Sequence, residues 1–244
     1  VAPFFNAPPY TPDRVTSLCI VGLAGGTIAH QYTTAFGSGV QIDGIEIDPA
    51  IVDMGRKYFD MTMPNLNVII EDGRLALHQS PKHYDVIGID AYRVPYVPWN
   101  LTTIEFFRDV HDHLTGDGVA VINVGRTVNT GTGQQDRRLI EAMTHTMLQV
   151  FPTVHTIDVP DSFNTILVAT VRPTVYTNLA ANAAVLPKAA APLLTQTLGV
   201  ASKAIVPTVA SDVLFTDDRA PVETIVDSMV IDFLMGGGGD QFRN

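Results

Sequence analysis

The chain has 244 residues, of which 46% are hydrophobic and 16% are charged, and its formal net charge is −10 with the histidines neutral. That length and hydrophobic fraction suit one large domain, or one domain with an appendage, built around a sizeable core. The acidic balance and the lack of any basic run argue against a nucleic-acid partner, because nothing in the sequence is suited to neutralise phosphates.

Composition divides the chain into four segments. Residues 1–16 are rich in proline and predict an extended lead-in. Residues 17–172 alternate between apolar, strand-like runs and helical patterns, and form the predicted α/β domain. Residues 173–235 are rich in alanine and threonine and predict a helical extension, and the glycine-rich residues 236–244 predict a flexible tail.

The first unit of the α/β domain carries the strongest signal. A buried strand at 18–21 runs into Gly22, Gly25 and Gly26, a helix follows over 27–36, and a second strand at 42–47 carries Glu46 near its end. Glycines allow a ligand to approach the backbone closely, and a carboxylate at the end of the second strand can accept hydrogen bonds from both ribose hydroxyls. This pattern is typical of the nucleotide-binding half of a doubly wound sheet.

The remaining elements continue the alternation of strands and helices. Further strands are predicted at 67–70, 84–89, 119–124, 154–159 and 165–171, with helices at 49–59, 74–79, 103–114, 134–150, 180–186, 191–198 and 222–234. Such alternation requires parallel strands joined by right-handed crossovers. We therefore predict a doubly wound, mostly parallel, seven-stranded sheet that ends in an antiparallel strand and is followed by the helical extension.

Three carboxylates come at or just after the ends of successive strands. Glu46, Asp72 and Asp90 follow this pattern at the second, third and fourth strands. Because the carboxyl ends of parallel strands share one edge of the sheet, and ligands bind at that edge, we expect these side chains to form a site.

Other polar and aromatic residues carry weaker signals. His111 and His113 are two residues apart on a helix and so do not face each other, which favours surface positions and no metal site. Tyr92, Tyr96 and Trp99 follow Asp90 in a loop where a substrate lid would lie. The Asp217-Asp218 pair either faces the site or caps the last helix, and the sequence leaves both open.

Several motifs together resemble those of the spermidine synthase family, the polyamine aminopropyltransferases. They are GLAGGT, EIDP, a helix carrying RKYF, EDGR, and a strand that ends in YDVIGIDAY. The segment PYVPWNLTTIEFFRDVHDHLTGDGVAVIN and the later TDDRAPVE resemble a branch of that family whose members are often fused to membrane segments or encoded with them. The resemblance implies the seven-stranded Rossmann-like sheet of class I S-adenosylmethionine-dependent methyltransferases.

The resemblance also implies site roles. Glu46 would bind the ribose hydroxyls with Ile47 against the adenine, Asp72 with Gly73 would read the adenine amino group, and Asp90 would accept a proton from the attacking amine. The residues implied to line the adenosyl-sulfonium ligand are Gly22, Gly25 and Gly26.

The sequence departs from the family pattern at the amine end. Ala24 stands where the family has an Asp that holds the aminopropyl amine, and Arg93 stands where a second Asp binds the diamine. A guanidinium at that position would favour an anion over a diamine. The small N-terminal β-domain, which supplies a catalytic tyrosine, is not among these residues, and Tyr92 could replace that tyrosine.

The leading prediction is a transferase that binds decarboxylated S-adenosylmethionine or S-adenosylmethionine and transfers an aminopropyl group to a polyamine-type amine acceptor. Asp90 and Tyr92 are its predicted catalytic residues, and Arg93, Tyr96 and Trp99 contact the substrate. A methyltransferase of unknown acceptor and a non-catalytic nucleoside-binding module are the two alternatives. Neither a metal nor a nucleic acid is predicted, and the sequence leaves the assembly open, with a homodimer as one option.

The predicted compartment is cytoplasmic, either alone or as the soluble part of a membrane-associated protein. Cys19 is the only cysteine, so no internal disulfide can form and a reducing compartment is expected. No apolar run approaches the roughly 20 residues that a membrane-spanning helix needs.

Overall fold

The computed structural model describes residues 1–92, 96–128 and 133–236. The strands of that part of the chain are β1 (Ser17–Val21), β2 (Gln41–Glu46), β3 (Leu66–Ile70), β4 (Tyr84–Ile89), β5 (Leu114–Gly125), β6 (Thr127–Val128), β7 (Gln135–Asp136), β8 (Thr153–Asp158), β9 (Asn164–Thr170) and β10 (Ile205–Val206). Its α-helices are α1 (Thr27–Phe36), α2 (Pro49–Tyr58), α3 (Gly73–His78), α4 (Ile104–Asp112), α5 (Arg138–Leu148), α6 (Thr177–Ala184), α7 (Pro192–Ala204) and α8 (Val222–Met235).

The main sheet has the strand order β10-β8-β9-β5-β4-β1-β2-β3. Strands β3, β2, β1, β4 and β5 run parallel, β9 is antiparallel to both β5 and β8, and β10 is antiparallel to β8. The predicted α/β class, the mostly parallel sheet and its antiparallel strand are confirmed. The predicted count of seven strands is wrong, because the short β10 of the C-terminal extension adds an eighth.

Helices cover both faces of the sheet, as a doubly wound fold requires. Successive side chains of β1 point to opposite faces, so Leu18 and Ile20 join a hydrophobic cluster with Phe4 and helices α1, α2, α6 and α7. Cys19 and Val21 join a second cluster with α3, α4, α5 and α8. The sheet is therefore buried on both sides, and only its edges and strand ends are open to ligands.

Side-chain caps start three of the helices that follow parallel strands. Asp48, Asp72 and Thr103 precede α2, α3 and α4, and each accepts a hydrogen bond from a backbone N–H of the first turn, at 2.8, 3.0 and 3.3 Å respectively. Each cap satisfies a donor that would otherwise lack a partner and contributes about 1 kcal/mol. The caps fix where each loop ends, and thus where the loop residues between strand and helix lie.

The proline-rich start of the chain is not simply extended. It contains two 3-10 turns, and Phe4 and Phe5 are completely buried. The amide of Asn182 in α6 donates to the carbonyl oxygens of Phe4 and Asn6, at 2.7 and 2.9 Å, and accepts a 2.8 Å hydrogen bond from the Tyr10 backbone N–H. Full burial of a Phe side chain stabilises by about 1.5–3 kcal/mol, so this segment is part of the core layer beside α6 and α7.

Several element boundaries differ from the sequence-based prediction, and α7 continues to Ala204 instead of ending at 198. Helix α5 begins at Arg138 instead of 134, because residues 135–136 pair with β6 as a short hairpin and the Asp136 carboxylate accepts from the Arg138 backbone N–H. Strand β5 begins at Leu114 instead of 119, with a register irregularity against β4.

Of the predicted flexible tail at 236–244, all but Gly236 lies outside the described residues. Within the described ranges, no helix has the length and apolarity to span a membrane.

The Asn182 contacts give a test of the packing between the two ends of the domain. Asn182→Ala leaves buried backbone groups unsatisfied, and we expect it to lower the free energy of unfolding by about 2–3 kcal/mol in urea titrations. The matched variant is Asn178→Ala, because the Asn178 amide makes one 2.9 Å hydrogen bond, to the Phe5 carbonyl, in a half-buried position. It should lose about 1 kcal/mol, and equal losses in the two variants would contradict this account.

Candidate active site

The glycine loop after β1 lies against both neighbouring strands. Gly22 has a φ of +94°, and a Cβ at this position would come within 2.6 Å of the Asp90 carbonyl oxygen at the end of β4. The backbone N–H groups of Gly22 and Leu23 donate to the Ile45 carbonyl of β2, at 3.0 and 2.9 Å. Only glycine fits this position, and its presence brings the loop directly beside Asp90.

Helix α1 begins at the end of the same loop. Gly26 is its N-cap residue with a φ of +85°, and a Cβ there would meet the Met61 side chain at 2.6 Å. Ala24 also has a left-handed backbone, with a φ of 48°, a conformation that costs a non-glycine residue free energy. Gly25 lies between them, beside the Phe59 ring. The backbone N–H groups of Gly22, Leu23, Ala24 and Gly26 all donate within the fold, so the loop offers a ligand a closely approachable backbone surface and no row of free donors.

Glu46 links the glycine loop to the end of β2. Its side chain is buried, its Oε2 accepts a 2.9 Å hydrogen bond from the Ala24 backbone N–H, and its Oε1 accepts a 3.2 Å hydrogen bond from the Asp48 backbone N–H. A carboxylate oxygen can accept more than one hydrogen bond, so both oxygens retain capacity for ligand hydroxyls. The neighbouring Ile47 side chain is 66% exposed and offers an apolar surface beside this carboxylate.

Asp72 and Gly73 form the next part of the edge, after β3. The Asp72 Oδ1 accepts the backbone N–H groups of Arg74 and Leu75, each at 3.0 Å, which caps α3. A Cβ on Gly73 would lie 2.5 Å from a Val21 methyl carbon, so glycine allows α3 to start close against β1. Asp72 is therefore fixed at the same edge as Glu46.

Asp90 stands exposed at the end of β4. Its backbone N–H donates to the Val21 carbonyl at 2.9 Å, and its side-chain Oδ1 accepts a 3.1 Å hydrogen bond from the Asn123 Nδ2. Asn123 lies near the end of β5 and was missed by the sequence reasoning. The available signal was one polar residue inside the otherwise apolar run VAVINV, at the end of the strand next to β4.

Tyr92 lies two residues after Asp90, and both residues form a hydrogen bond with Asn123. Its hydroxyl donates to the Asn123 carbonyl at 2.8 Å. Burial, together with the nearby Asp90 carboxylate, raises the pKa of Tyr92, so its phenol stays neutral in ordinary buffers. The catalytic role of Tyr92 stays a prediction, and the geometry gives its ring a fixed position beside Asp90.

The other loop residues predicted to contact substrate have different surroundings. The Tyr96 hydroxyl donates to Asp227 of α8 at 2.6 Å, and this hydrogen bond raises the Tyr96 pKa. Trp99 starts a 3-10 turn and is 44% exposed. Arg93 lies outside the described residues.

Asp217 of the late acidic turn joins the helices that follow β3 and β4. It forms two 2.8 Å contacts with the Arg74 guanidinium and accepts a 2.7 Å hydrogen bond from the Thr103 hydroxyl. The Arg74 contact lowers the pKa of Asp217. Of the two roles left open for this pair, capping α8 does not apply to Asp217, which instead ties the start of α3 to the start of α4.

No group of three His, Cys, Asp or Glu side chains in the described residues is placed to hold a metal ion. The His113 ring contacts the backbone carbonyls of Asp109 and Ser80, at 2.7 and 3.1 Å, and so has a structural position beside α4.

Residues 18–172 match the model of a protein family described as the spermine/spermidine synthase domain. A probable polyamine aminopropyl transferase of Bifidobacterium longum is 35% identical over 160 residues, which are 65% of this chain and 34% of that protein. A polyamine aminopropyltransferase of Clostridium beijerinckii is 32% identical over 48% of this chain and 42% of that protein. The chain thus spans well under half the length of these curated relatives.

A solved structure supports the fold over most of the chain. Human methyltransferase-like protein 13, in complex with SAH, superposes with a TM-score of 0.62 at 23% identity, over 86% of this chain and 91% of that one. At this identity the likeness shows a shared fold and nothing finer.

The contact of Gly22 with β4 gives a test of the site's construction. Gly22→Ala adds a methyl group against the Asp90 carbonyl in a left-handed backbone, and we expect it to cost about 3 kcal/mol or more of unfolding free energy in urea. Gly37→Ala is the matched control, because Gly37 has a φ of +84° with no atom within 4 Å of the place that an added methyl group would take. It should lose about 1–2 kcal/mol. A Gly22→Ala loss no larger than that of the control would show that the close approach is absent in solution.

Proposed function

Because the chain belongs to the spermine/spermidine synthase family, we propose that it transfers an aminopropyl group from decarboxylated S-adenosylmethionine to the nitrogen of an amine. The two relatives described above are named as aminopropyltransferases, and the transferase class follows from them. The observation that carries the proposal is the Asp90 carboxylate, which stands exposed beside the glycine loop with one oxygen held by Asn123.

The nucleoside of the co-substrate would bind along the edge from Gly22 to Gly73. In this proposal Glu46 accepts the two ribose hydroxyls, Ile47 packs on the adenine, and Asp72 with the adjacent Gly73 binds the adenine amino group. The support lies in their placement. Two backbone N–H groups hold the Glu46 carboxylate, and the Asp72 carboxylate is held by the N–H groups at the start of α3. The Ile47 side chain is exposed, and the adenine ring of the ligand would cover it. The glycine loop, including Gly25 and Gly26, would lie against the sulfonium end.

The transfer itself is a displacement at carbon. The lone pair of the acceptor nitrogen forms a bond to the aminopropyl methylene, the bond from that carbon to sulfur breaks, and its electron pair stays on sulfur. Neutral methylthioadenosine then leaves, and the new ammonium group loses a proton to Asp90. In the described residues the Asp90 Oδ2 accepts no hydrogen bond, so this oxygen is available to the amine, while Asn123 holds Oδ1.

Ala24 makes methyl transfer to an amine a second candidate function. Ala24 lies where the family's aminopropyl-binding Asp is expected, and its backbone N–H is committed to Glu46. No carboxylate is then placed at that position of the loop to bind a free aminopropyl ammonium. The same nucleoside site and the same Asp90 would serve S-adenosylmethionine, and the released product would be S-adenosylhomocysteine.

Asp90→Asn tests the proposal, because the amide keeps the shape of the side chain and cannot accept the proton. We expect product formation from decarboxylated S-adenosylmethionine and a panel of primary amines to fall by about 10²–10⁴-fold, with co-substrate affinity retained. Methylthioadenosine release, followed by chromatography, is the readout, and it does not require the acceptor to be known. Asp212→Asn is the control, since Asp212 is an exposed carboxylate outside the site.

The products separate the candidate functions. Methylthioadenosine from the wild type, lost in Asp90→Asn and kept in Asp212→Asn, supports aminopropyl transfer. Release of S-adenosylhomocysteine from S-adenosylmethionine instead would replace it with methyl transfer. If the wild type releases neither product with any amine, the domain is a nucleoside-binding module and the proposal is wrong.

A further inference from the structure

A cavity of about 140 Å³ lies beside the candidate active site, where the loop after β4 meets helix α8. It is smaller than the roughly 300–1,000 Å³ of pockets that hold whole ligands, so it suits one arm of a larger molecule. The side chains that matter for its chemistry are Tyr92, Arg126, Leu139, Val226, Met229 and Val230.

Hydrogen bonds of Asn123 and Tyr92 link the wall of the cavity to Asp90. Asn123 donates from Nδ2 to the Asp90 carboxylate, and its backbone carbonyl accepts the Tyr92 hydroxyl, whose ring forms part of the cavity wall. Tyr92 is thus both a neighbour of Asp90 and part of the cavity wall, which places the cavity at the Asp90 end of the candidate site.

Helix α8 supplies the apolar wall. Val226 and Met229 are buried and Val230 is half-buried against the second hydrophobic cluster, and the Tyr96–Asp227 hydrogen bond of 2.6 Å fastens the helix to the loop after β4. This helix lies beyond residues 18–172, the part that matches the family. The cavity is thus a feature that the shared domain does not determine by itself.

Arg126 brings a positive charge to the lining of the cavity. It is 7% exposed, and its two terminal nitrogens donate to main-chain oxygens of the turn between β8 and β9, to the Asn164 carbonyl at the start of β9 and to the Thr165 hydroxyl. Its Nε has no hydrogen-bond partner in the described residues. The nearest carboxylate, Asp158 at 3.6 Å, is also paired with Arg137, so the two guanidinium groups share one negative charge.

These features select against a second ammonium group. An ammonium can only donate hydrogen bonds, would be repelled by the guanidinium, and would meet no carboxylate among the described residues that line the cavity. A carboxylate would instead offer the Arg126 N–H an acceptor and gain a charge-assisted hydrogen bond. Alkyl groups between the two ends would pack on Val226, Met229 and Val230.

On the premise of the proposed amine transferase, we propose that the acceptor is an amine whose short apolar arm ends in a carboxylate, and that this cavity binds the arm. The acceptor nitrogen lies at Asp90, the arm passes Tyr92, and the carboxylate reaches Arg126. Helix α8 then determines acceptor specificity, and the acceptor differs from a diamine at its far end.

Matched acceptors test this directly on the full chain with decarboxylated S-adenosylmethionine. We would compare 5-aminopentanoate, pentylamine and 1,5-diaminopentane, together with their four- and six-carbon homologues, by methylthioadenosine release. The amino acid should exceed the diamine of the same length by at least about tenfold in kcat/KM, because like charges at close range are strongly disfavoured. Equal values, or a preference for the diamine or the alkylamine, would overturn the inference while leaving the transferase proposal intact. No release with any acceptor would overturn both.

A pair of substitutions on α8 tests the place of binding. Val230→Trp fills the cavity from a half-buried position and should raise the KM of the preferred acceptor by about tenfold, with the calorimetric Kd of the co-substrate unchanged. Ile231→Trp places the same ring on an exposed position of the same helix and should change neither value. An unchanged acceptor KM in Val230→Trp would show that the arm binds elsewhere.

Discussion

The close approach of Gly22 to the backbone of Asp90 is the constraint on which the candidate site depends. A single methyl group at Gly22 would lie 2.6 Å from a carbonyl oxygen, so β1 and β4 can end side by side only with glycine at that position. The parallel pairing of β1 with β4 makes both strands end at the same edge. The glycine loop proposed to lie against the adenosyl group and the carboxylate proposed to take a proton are thereby held next to each other.

Along the rest of this sheet edge, the side chains that fix the local backbone are also the ones proposed to contact the ligand. Glu46 holds the glycine loop by accepting a hydrogen bond from the Ala24 N–H, and its oxygens can still accept hydrogen bonds from ligand hydroxyls. Asp72 caps α3 and lies at the same edge of the sheet. Asn123 joins Asp90 to Tyr92 across β5. Residues that fix the local backbone are thus the same ones proposed to bind the nucleoside or to orient the acid, so folding alone pre-organises the site.

Much of this architecture could be predicted from the sequence because its signals are local. The bounds of α1 follow from Gly26 before it and Gly37 after it, and the parallel sheet follows from the strand–helix alternation. Contacts between distant segments gave no such signal. Phe4 is buried by packing against α6, and the proline-rich stretch around it has no periodicity from which this burial could be predicted. The two-residue β10 forms only because it pairs with β8. Arg126 was missed because its significance arises only where α8 meets the end of β5.

The central claim is that this edge binds the adenosyl sulfonium from which an aminopropyl group is transferred. Calorimetric titration of the purified chain with decarboxylated S-adenosylmethionine, and separately with S-adenosylmethionine, tests that claim most directly. The account predicts micromolar or tighter binding of the decarboxylated compound, with weaker binding of the intact one. Absence of binding by either compound at micromolar concentrations would contradict the account, because the folded edge would then not be a nucleoside site.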